Sequence, residues 1–289
     1  MRIVSLLPAA TEIVWALGLE EDLVGVSHAC DFPPAVSGRP VVTRPMGSGS
    51  TASSPGAGAG RPSHETVDAA ALAALRPDVV FTAAGPRAWD AGPDATIVIL
   101  DPVSVEGIFH AIATVGAMTD AEDEAVGLVE ILRERLADVE EVAAARRNDG
   151  RHAPRVVALD GLAPLSSAGL WVPEQVRRAG GWEVLAADGE PSAPATWEAV
   201  AEVDPEMLLL VLRGGHLEDV TRAWSATPRP AFVAEIQAVR RGQVFAFEAT
   251  AYFSRPGPRV IDGIEILAEI FDPVAFVDLA PPGSWVPVL

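Results

Sequence analysis

A chain of 289 residues, 49% of them hydrophobic and with mean hydropathy +0.25, has the material for a sizeable core in one domain or two. A formal charge of −19 and a pI near 4.5 argue against nucleic acid and anionic membrane surfaces as partners. All 21 basic residues are arginine and Cys30 is the single cysteine, so lysine Schiff-base and Walker-lysine chemistry, an intrachain disulfide and a cysteine-built zinc cluster are excluded.

The opening run Arg2-Ile3-Val4-Ser5-Leu6-Leu7 imitates a leader, but Pro8 breaks it and Glu12 follows. It reads as a first strand. As written, the chain shows no export signal or lipid-anchor cysteine near its start, so a cytoplasmic location is the expectation. An extracytoplasmic location stays open if a leader has been removed. No apolar run approaches the roughly 18 residues a membrane helix needs.

After the strand 2–7, a helix headed by Thr11-Glu12 runs to Leu17 and Gly18 ends it. Leu23–Ser27 reads as a second strand, His28 to Pro34 as a polar loop, and Val41–Thr43 as a short strand. Residues 45–62 are small and polar and read as a mobile loop, with a lid over a ligand as the functional alternative. Ser63 is expected to cap a helix from His64 to Leu75. Strands follow at Val79–Thr82 and Thr96–Leu100. Between them Ala83–Pro93 is loop, with room for one helical turn, and Ser104–Met118 is a helix.

Asp120–Arg147 reads as one long helix. Its acids cluster at the start and Arg146-Arg147 at the end, both complementing the helix dipole, and Val129, Leu132, Leu136, Val139 and Ala143 form one apolar stripe. Strand and helix patterns lie on both sides, so it is expected to act as a rigid strut between two α/β lobes.

The second lobe repeats the plan. Arg155–Leu159 is a strand, Asp160–Leu170 a loop, and Trp171-Val172-Pro173 opens a helix closed by Gly180-Gly181. Thr196–Val203 is a helix, Met207–Leu212 a fully apolar strand, Leu217–Ala226 a helix and Phe232–Val239 a short one. Gln243–Phe247 is a strand, Glu248–Pro258 a loop and Arg259–Phe271 the last helix, before a proline-rich tail. The stretch from Ala74 to Phe81 echoes that from Glu202 to Leu209: helix end, proline, acid, buried strand. The expected class is therefore α/β: two Rossmann-like lobes with parallel sheets, residues 1–119 and 149–289, joined by a single helix over 120–148.

Ligands of such sheets bind beyond the carboxyl ends of the strands, and with two lobes those ends can face each other across a cleft. The loops there hold the candidate binding residues: Pro8, His28, Asp31, Phe32, Trp89, Trp171, Arg213, His216, Tyr252, Phe253 and Arg255. The aromatics suit a large, partly apolar ligand held by stacking, unless they plug the lobes instead. His28, Cys30 and Asp31 are all metal-ligand types, but neighbours on one short loop seldom converge on one ion. That leaves no protein-built metal site, and His28 alone to meet a metal inside a bound macrocycle. The sequence carries no Gly-x-Ser-x-Gly elbow, Walker loop or His-Glu-x-x-His.

Six segments carry a resemblance: Arg2 to Glu12, Leu23 to Ser27, Cys30 to Pro34, Leu75 to Val80, Trp171 to Glu174 with Gly180-Gly181, and Tyr252 to Arg259. Together, and in this order, they resemble the cobalamin-binding proteins of the class III solute-binding family, which also serves iron-siderophore and haem importers. The resemblance implies two α/β lobes on one long helix, a ligand between the lobes, and delivery to the permease of an ABC importer. It implies no enzymatic activity and no intrinsic cofactor, with cobalamin or a related corrinoid as ligand. It places Pro8, His28 to Phe32, Tyr252 and Phe253 on cleft loops. The alternatives are a stand-alone cytoplasmic binding or sensing protein for a tetrapyrrole or metal chelate, such as a siderophore or haem, and an enzyme using His28, Cys30 and Asp31 on such a ligand.

Overall fold

The computed structural model describes residues 1–45, 65–85 and 89–288. The chain divides into two compact units, the first reaching Ile131 and the second running from Leu132, with Val103–Val105 joining the second.

The first unit contains β1 (Ile3–Ser5), α1 (Pro8–Ala16), β2 (Leu23–Val26), β3 (Thr43–Pro45), β4 (Glu65–Val67), α2 (Ala69–Ala74), β5 (Val79–Thr82), β6 (Thr96–Ile99) and most of α3 (Val105–Met118). Its main sheet has the order β2-β1-β5-β6 and is parallel throughout. All residues of β1 and β5 are buried, as central strands covered on both faces must be. Pro8 opens α1 at a position where a missing N–H costs nothing, and Gly18 at φ +74° follows its end. Val4, Leu6, Val42, Leu72 and Val80 form a core cluster on this sheet.

The helix expected from His64 to Leu75 is shorter. Glu65–Val67 is instead a strand, antiparallel to Thr43–Pro45, and the helix cap is Asp68, whose Oδ1 accepts the Ala71 N–H at 3.0 Å. Ser63, His64 and the segment 46–62 lie outside the described residues, as do 86–88 in the loop after β5. The described part of that loop contains no helical turn.

α4 (Glu122–Asn148) is 27 residues long, about 40 Å at 1.5 Å per residue. Asp120 stands outside it in the left-handed region, at φ +55°. Ala125, Leu132, Leu136, Val139 and Ala143 are buried along one stripe, with Val129 half-buried. Within the first unit α3 approaches α4 closely: a Cβ on Gly116 would meet the Ala125 Cβ at 2.5 Å. Within the second, Arg135 forks onto Glu265 at 2.6 and 2.9 Å and reaches Asp262 at 2.5 Å.

The second unit contains β7 (Arg155–Leu162), β8 (Leu165–Ser167), α5 (Trp171–Arg178), β9 (Trp182–Glu183), β10 (Ala193–Pro194), α6 (Trp197–Val203), β11 (Met207–Leu210), α7 (Leu217–Ala226), α8 (Gln237–Arg240), β12 (Val244–Phe247), α9 (Ala249–Tyr252), α10 (Val260–Phe271) and β13 (Trp285–Pro287). Its sheet is built on three parallel strands, β7-β11-β12. Antiparallel strands extend it on both sides, β8 and β10 beyond β7 and β13 beyond β12, while β9 pairs in parallel with the start of β7.

Three expected loops therefore carry regular structure. Asp160–Leu170 holds the end of β7 and the hairpin strand β8; Glu248–Pro258 contains α9; and the proline-rich tail supplies β13. The tail strand is anchored by Trp285, whose ring stands edge-on to Phe245 at 5.6 Å. The core of this unit centres on Val157, Leu159, Leu208, Leu210 and Ala246, with Trp197 and Trp224 edge-to-face at 6.3 Å.

Candidate functional site

In the first unit the chain leaves β1 into α1 and leaves β2 into the His28 loop, at the same edge of a parallel sheet. A buried chain of small polar groups fixes this edge. Thr11 Oγ1 donates to Ser5 Oγ at 2.8 Å and lies 3.0 Å from Cys30 Sγ, and Ser5 Oγ donates to the Leu7 carbonyl at 2.9 Å. His28 is pinned by Thr43: its backbone N–H donates to Thr43 Oγ1 at 2.9 Å and its Nδ1 is 2.7 Å from the same oxygen. Thr43 is itself buried and comes from β3. His28, Asp31 and Phe32 are exposed and Pro8 half-buried, so this edge presents the predicted residues of the first unit together. Trp89 is different. It packs on the Val4–Leu6–Val80 cluster and serves the core.

In the second unit the carboxyl ends of β7, β11 and β12 build the richer site. Asp160, inside β7, is the organising residue. Its side chain is only 6% exposed, and its oxygens accept from Ser166 Oγ at 2.5 Å, Ser192 Oγ at 2.6 Å and Arg213 Nη2 at 2.6 Å. A buried carboxylate is tolerated only when bonded in this way. The Arg213 backbone N–H also donates to the Asp160 carbonyl, at 3.0 Å. Gly214, at φ +68°, turns the chain sharply just after Arg213, and its N–H donates to Ser254 Oγ at 3.2 Å. A shallow recess opens here, with Ala168, Val172, Val211 and Phe253 on its apolar side and Asp160, Arg213 and Ser254 on its polar side.

His216 stands at the next turn of the same loop, 60% exposed, with Nδ1 2.9 Å from Glu248 Oε1. The other oxygen of Glu248 accepts the Leu217 N–H at 3.0 Å, supplying α7 with the cap its own His216 does not give. Tyr252 is half-buried at the end of α9, with the Arg259 guanidinium 6.0 Å from its ring, and Arg255 is half-buried beyond it.

Two predicted contact residues take a different role. Trp171 is fully buried and lies in the first turn of α5, and Phe253 is 1% exposed, packed edge-on against Phe247 at 5.0 Å. Trp171, so enclosed, offers no surface to a ligand, and Phe253 contributes only a wall of the recess. They hold the loop instead: Trp171 Nε1 donates to the Phe253 carbonyl at 3.1 Å, while Gln175 Nε2 donates to the Tyr252 and Val260 carbonyls at 3.0 and 2.9 Å. The approach is tight enough to require glycine at 263, where a Cβ would meet the Tyr252 carbonyl oxygen at 2.7 Å.

Sequence reasoning missed Asp160, Ser166, Ser192, Glu248 and Gln175 as site residues. Asp160 left a signal, an acid closing an apolar strand. Ser192 left none, since a loop far along the chain delivers it. Among the described residues no three of His, Cys, Asp and Glu gather as a metal site. None of the described helices is long and apolar enough to cross a membrane.

Relatives share this plan. The chain is 25% identical over 285 residues to a vitamin B12-binding protein of Vibrio cholerae, spanning 91% of this chain and 86% of that one. It is 26% identical over 284 residues to an uncharacterized ABC transporter substrate-binding lipoprotein of Bacillus subtilis, spanning 95% and 81%. A crystal structure of a periplasmic heme-binding protein from Pseudomonas aeruginosa superposes with a TM-score of 0.73 at 24% identity, covering 94% of this chain and 93% of that one. The model of the periplasmic binding protein family matches residues 3–251, nearly the whole of both sheets, and the protein belongs to that family.

Proposed function

We propose that the protein is the solute-binding component of an ABC importer and carries cobalamin or a related corrinoid. The observation that carries the reading is the family match over residues 3–251, joined to relatives that bind vitamin B12 along nearly the whole chain. The site chemistry supports it. Exposed His28, Asp31 and Phe32 in the first unit, with Arg213, His216, Tyr252 and Arg255 in the second, offer aromatic, cationic and imidazole groups at the carboxyl ends of the strands. The protein binds and hands on its ligand without transforming it, needs no cofactor of its own, and works outside the cytoplasm with permease subunits.

The test is direct titration of the purified protein with cyanocobalamin, followed by tryptophan fluorescence and calorimetry. Saturable binding with one ligand per chain, with the ligand recovered unchanged, is expected. No binding of cyanocobalamin, or turnover of it, removes the reading.

A further inference from the structure

We propose that Arg213, locked onto Asp160, is the anion-binding residue of the site and takes an oxyanion of the ligand, a phosphodiester or a carboxylate. This rests on the functional reading above and deepens it. Asp160 is buried and has its oxygens committed to Ser166, Ser192 and Arg213 at 2.5, 2.6 and 2.6 Å. It is a positioning residue. It holds one guanidinium nitrogen, and among the described residues Arg213 has no other side-chain partner. The Arg213 side chain remains 35% exposed, at the polar end of the recess whose other walls are Val172, Val211 and Phe253.

A guanidinium has five N–H donors in a rigid fork, so binding at one nitrogen leaves most of the fork for a second oxyanion. The two serine hydroxyls matter here. By donating to Asp160 they share its negative charge, so the carboxylate orients Arg213 without using up its attraction for an incoming anion. Apolar walls lower the local dielectric and strengthen that contact. In a chain of formal charge −19, an anionic ligand group meets repulsion over most of the surface, and a fixed cation at this recess gives it one oriented landing point.

The experiment compares paired ligands that differ in the oxyanion. Cyanocobalamin carries a phosphodiester that dicyanocobinamide lacks, and hemin carries carboxylates that its dimethyl ester lacks. Arg213→Gln is expected to weaken the oxyanion-bearing member roughly 10–100-fold and to leave its partner unchanged. The pair that shows the loss identifies the source of the oxyanion. Arg213→Lys keeps a cation beside Asp160, guards against misfolding, and is expected to retain part of the discrimination without the fork. Wild-type protein that binds these ligands, with both variants weakening the two members of each pair equally or not at all, overturns this inference and leaves the functional reading standing. Wild-type protein that fails to bind cyanocobalamin removes the functional reading, and one that binds none of the four removes this inference as well.

Discussion

The two units repeat one corner with unequal means. In the first, Arg2 and Asp78 exchange backbone bonds: Asp78 N–H donates to the Arg2 carbonyl at 2.9 Å, Asp78 Oδ2 accepts the Arg2 N–H at 2.7 Å, and Arg2 Nε donates to the Leu75 carbonyl at 2.7 Å. In the second, Arg155 and Glu206 do the same. The Glu206 N–H reaches the Arg155 carbonyl at 2.8 Å, Glu206 Oε2 accepts the Arg155 N–H at 2.9 Å, and Arg155 Nη2 donates to the Val203 carbonyl at 2.5 Å. The residue before proline is left-handed in both, Arg76 at φ +45° and Asp204 at φ +37°. One logic thus serves both: the arginine heading a strand satisfies the carbonyl end of the helix that feeds the neighbouring strand, and the acid satisfies the arginine's N–H. The difference lies in reinforcement. The first corner is exposed. In the second, Glu206 also bonds His152 Nε2 at 3.0 Å and Asp204 Oδ1 accepts the Gln237 N–H at 2.8 Å. A corner needs its acid in both cases, but only the second has made that acid part of a network.

The contrast can be broken most forcefully at a buried carboxylate of the second unit, Glu183. Glu183 Oε2 accepts the Ala158 N–H at 2.8 Å and Oε1 the Leu185 N–H at 2.9 Å, tying β9 to β7. Glu183→Ala strands both donors, each costing about 1–3 kcal/mol. A large drop in the urea midpoint is expected, and a change within error would show that water replaces the carboxylate. A smaller effect separates the two corners themselves. Glu206→Ala is expected to cost about 1–3 kcal/mol and the exposed Asp78→Ala only about 0.5–1.5 kcal/mol. Equal losses in paired urea titrations would mean that reinforcement of the corner contributes nothing.

The smallest expected effect is in pH dependence, and the two acids give opposite signs. Burial pushes Glu183 up to about 7, against the pull of its backbone donors. The folded state then holds a proton that the unfolded state has released, so this group's contribution declines as pH rises from about 4.5 toward 7. For Glu206 burial also opposes ionisation, but the Arg155 N–H and then His152 outweigh it and hold the carboxyl below its ordinary value of 4.5. Its contribution is present above that value and fades as pH falls through the lower folded one. Melting temperatures across pH should therefore lose part of their neutral-side decline in Glu183→Gln and part of their acid-side decline in Glu206→Gln. The reverse assignment of the two limbs would contradict this account.

The repeat itself was legible in the sequence, because helix end, proline, acid and apolar strand are local signals. So were Val79–Thr82, α6 and α7, where the apolar pattern and the breakers that flank it are local. The short strands β4, β8, β10 and β13 were not, since each of them is defined by a partner across the sheet and not by its own residues. The same limit governs the site. His28, Arg213 and His216 sit on loops that chain order alone predicts, and Tyr252 ends a short helix inside another such predicted loop. Asp160 depends on Ser166 from an unforeseen hairpin and Ser192 from a distant loop. Trp171 and Phe253 look like contact residues in a linear motif, and only packing shows them holding the loop from beneath.

The placement of β13 has a consequence for biosynthesis. Val244–Phe247 is wholly buried in the finished protein, yet one of its edges pairs with Trp285–Pro287, a strand made well after it. Until that segment arrives, a growing chain carries a Val-Phe-Ala-Phe edge open to any other strand, the arrangement that leads to aggregation. Deleting Trp285–Pro287 would leave every site residue in place and still make the nascent protein dependent on chaperones.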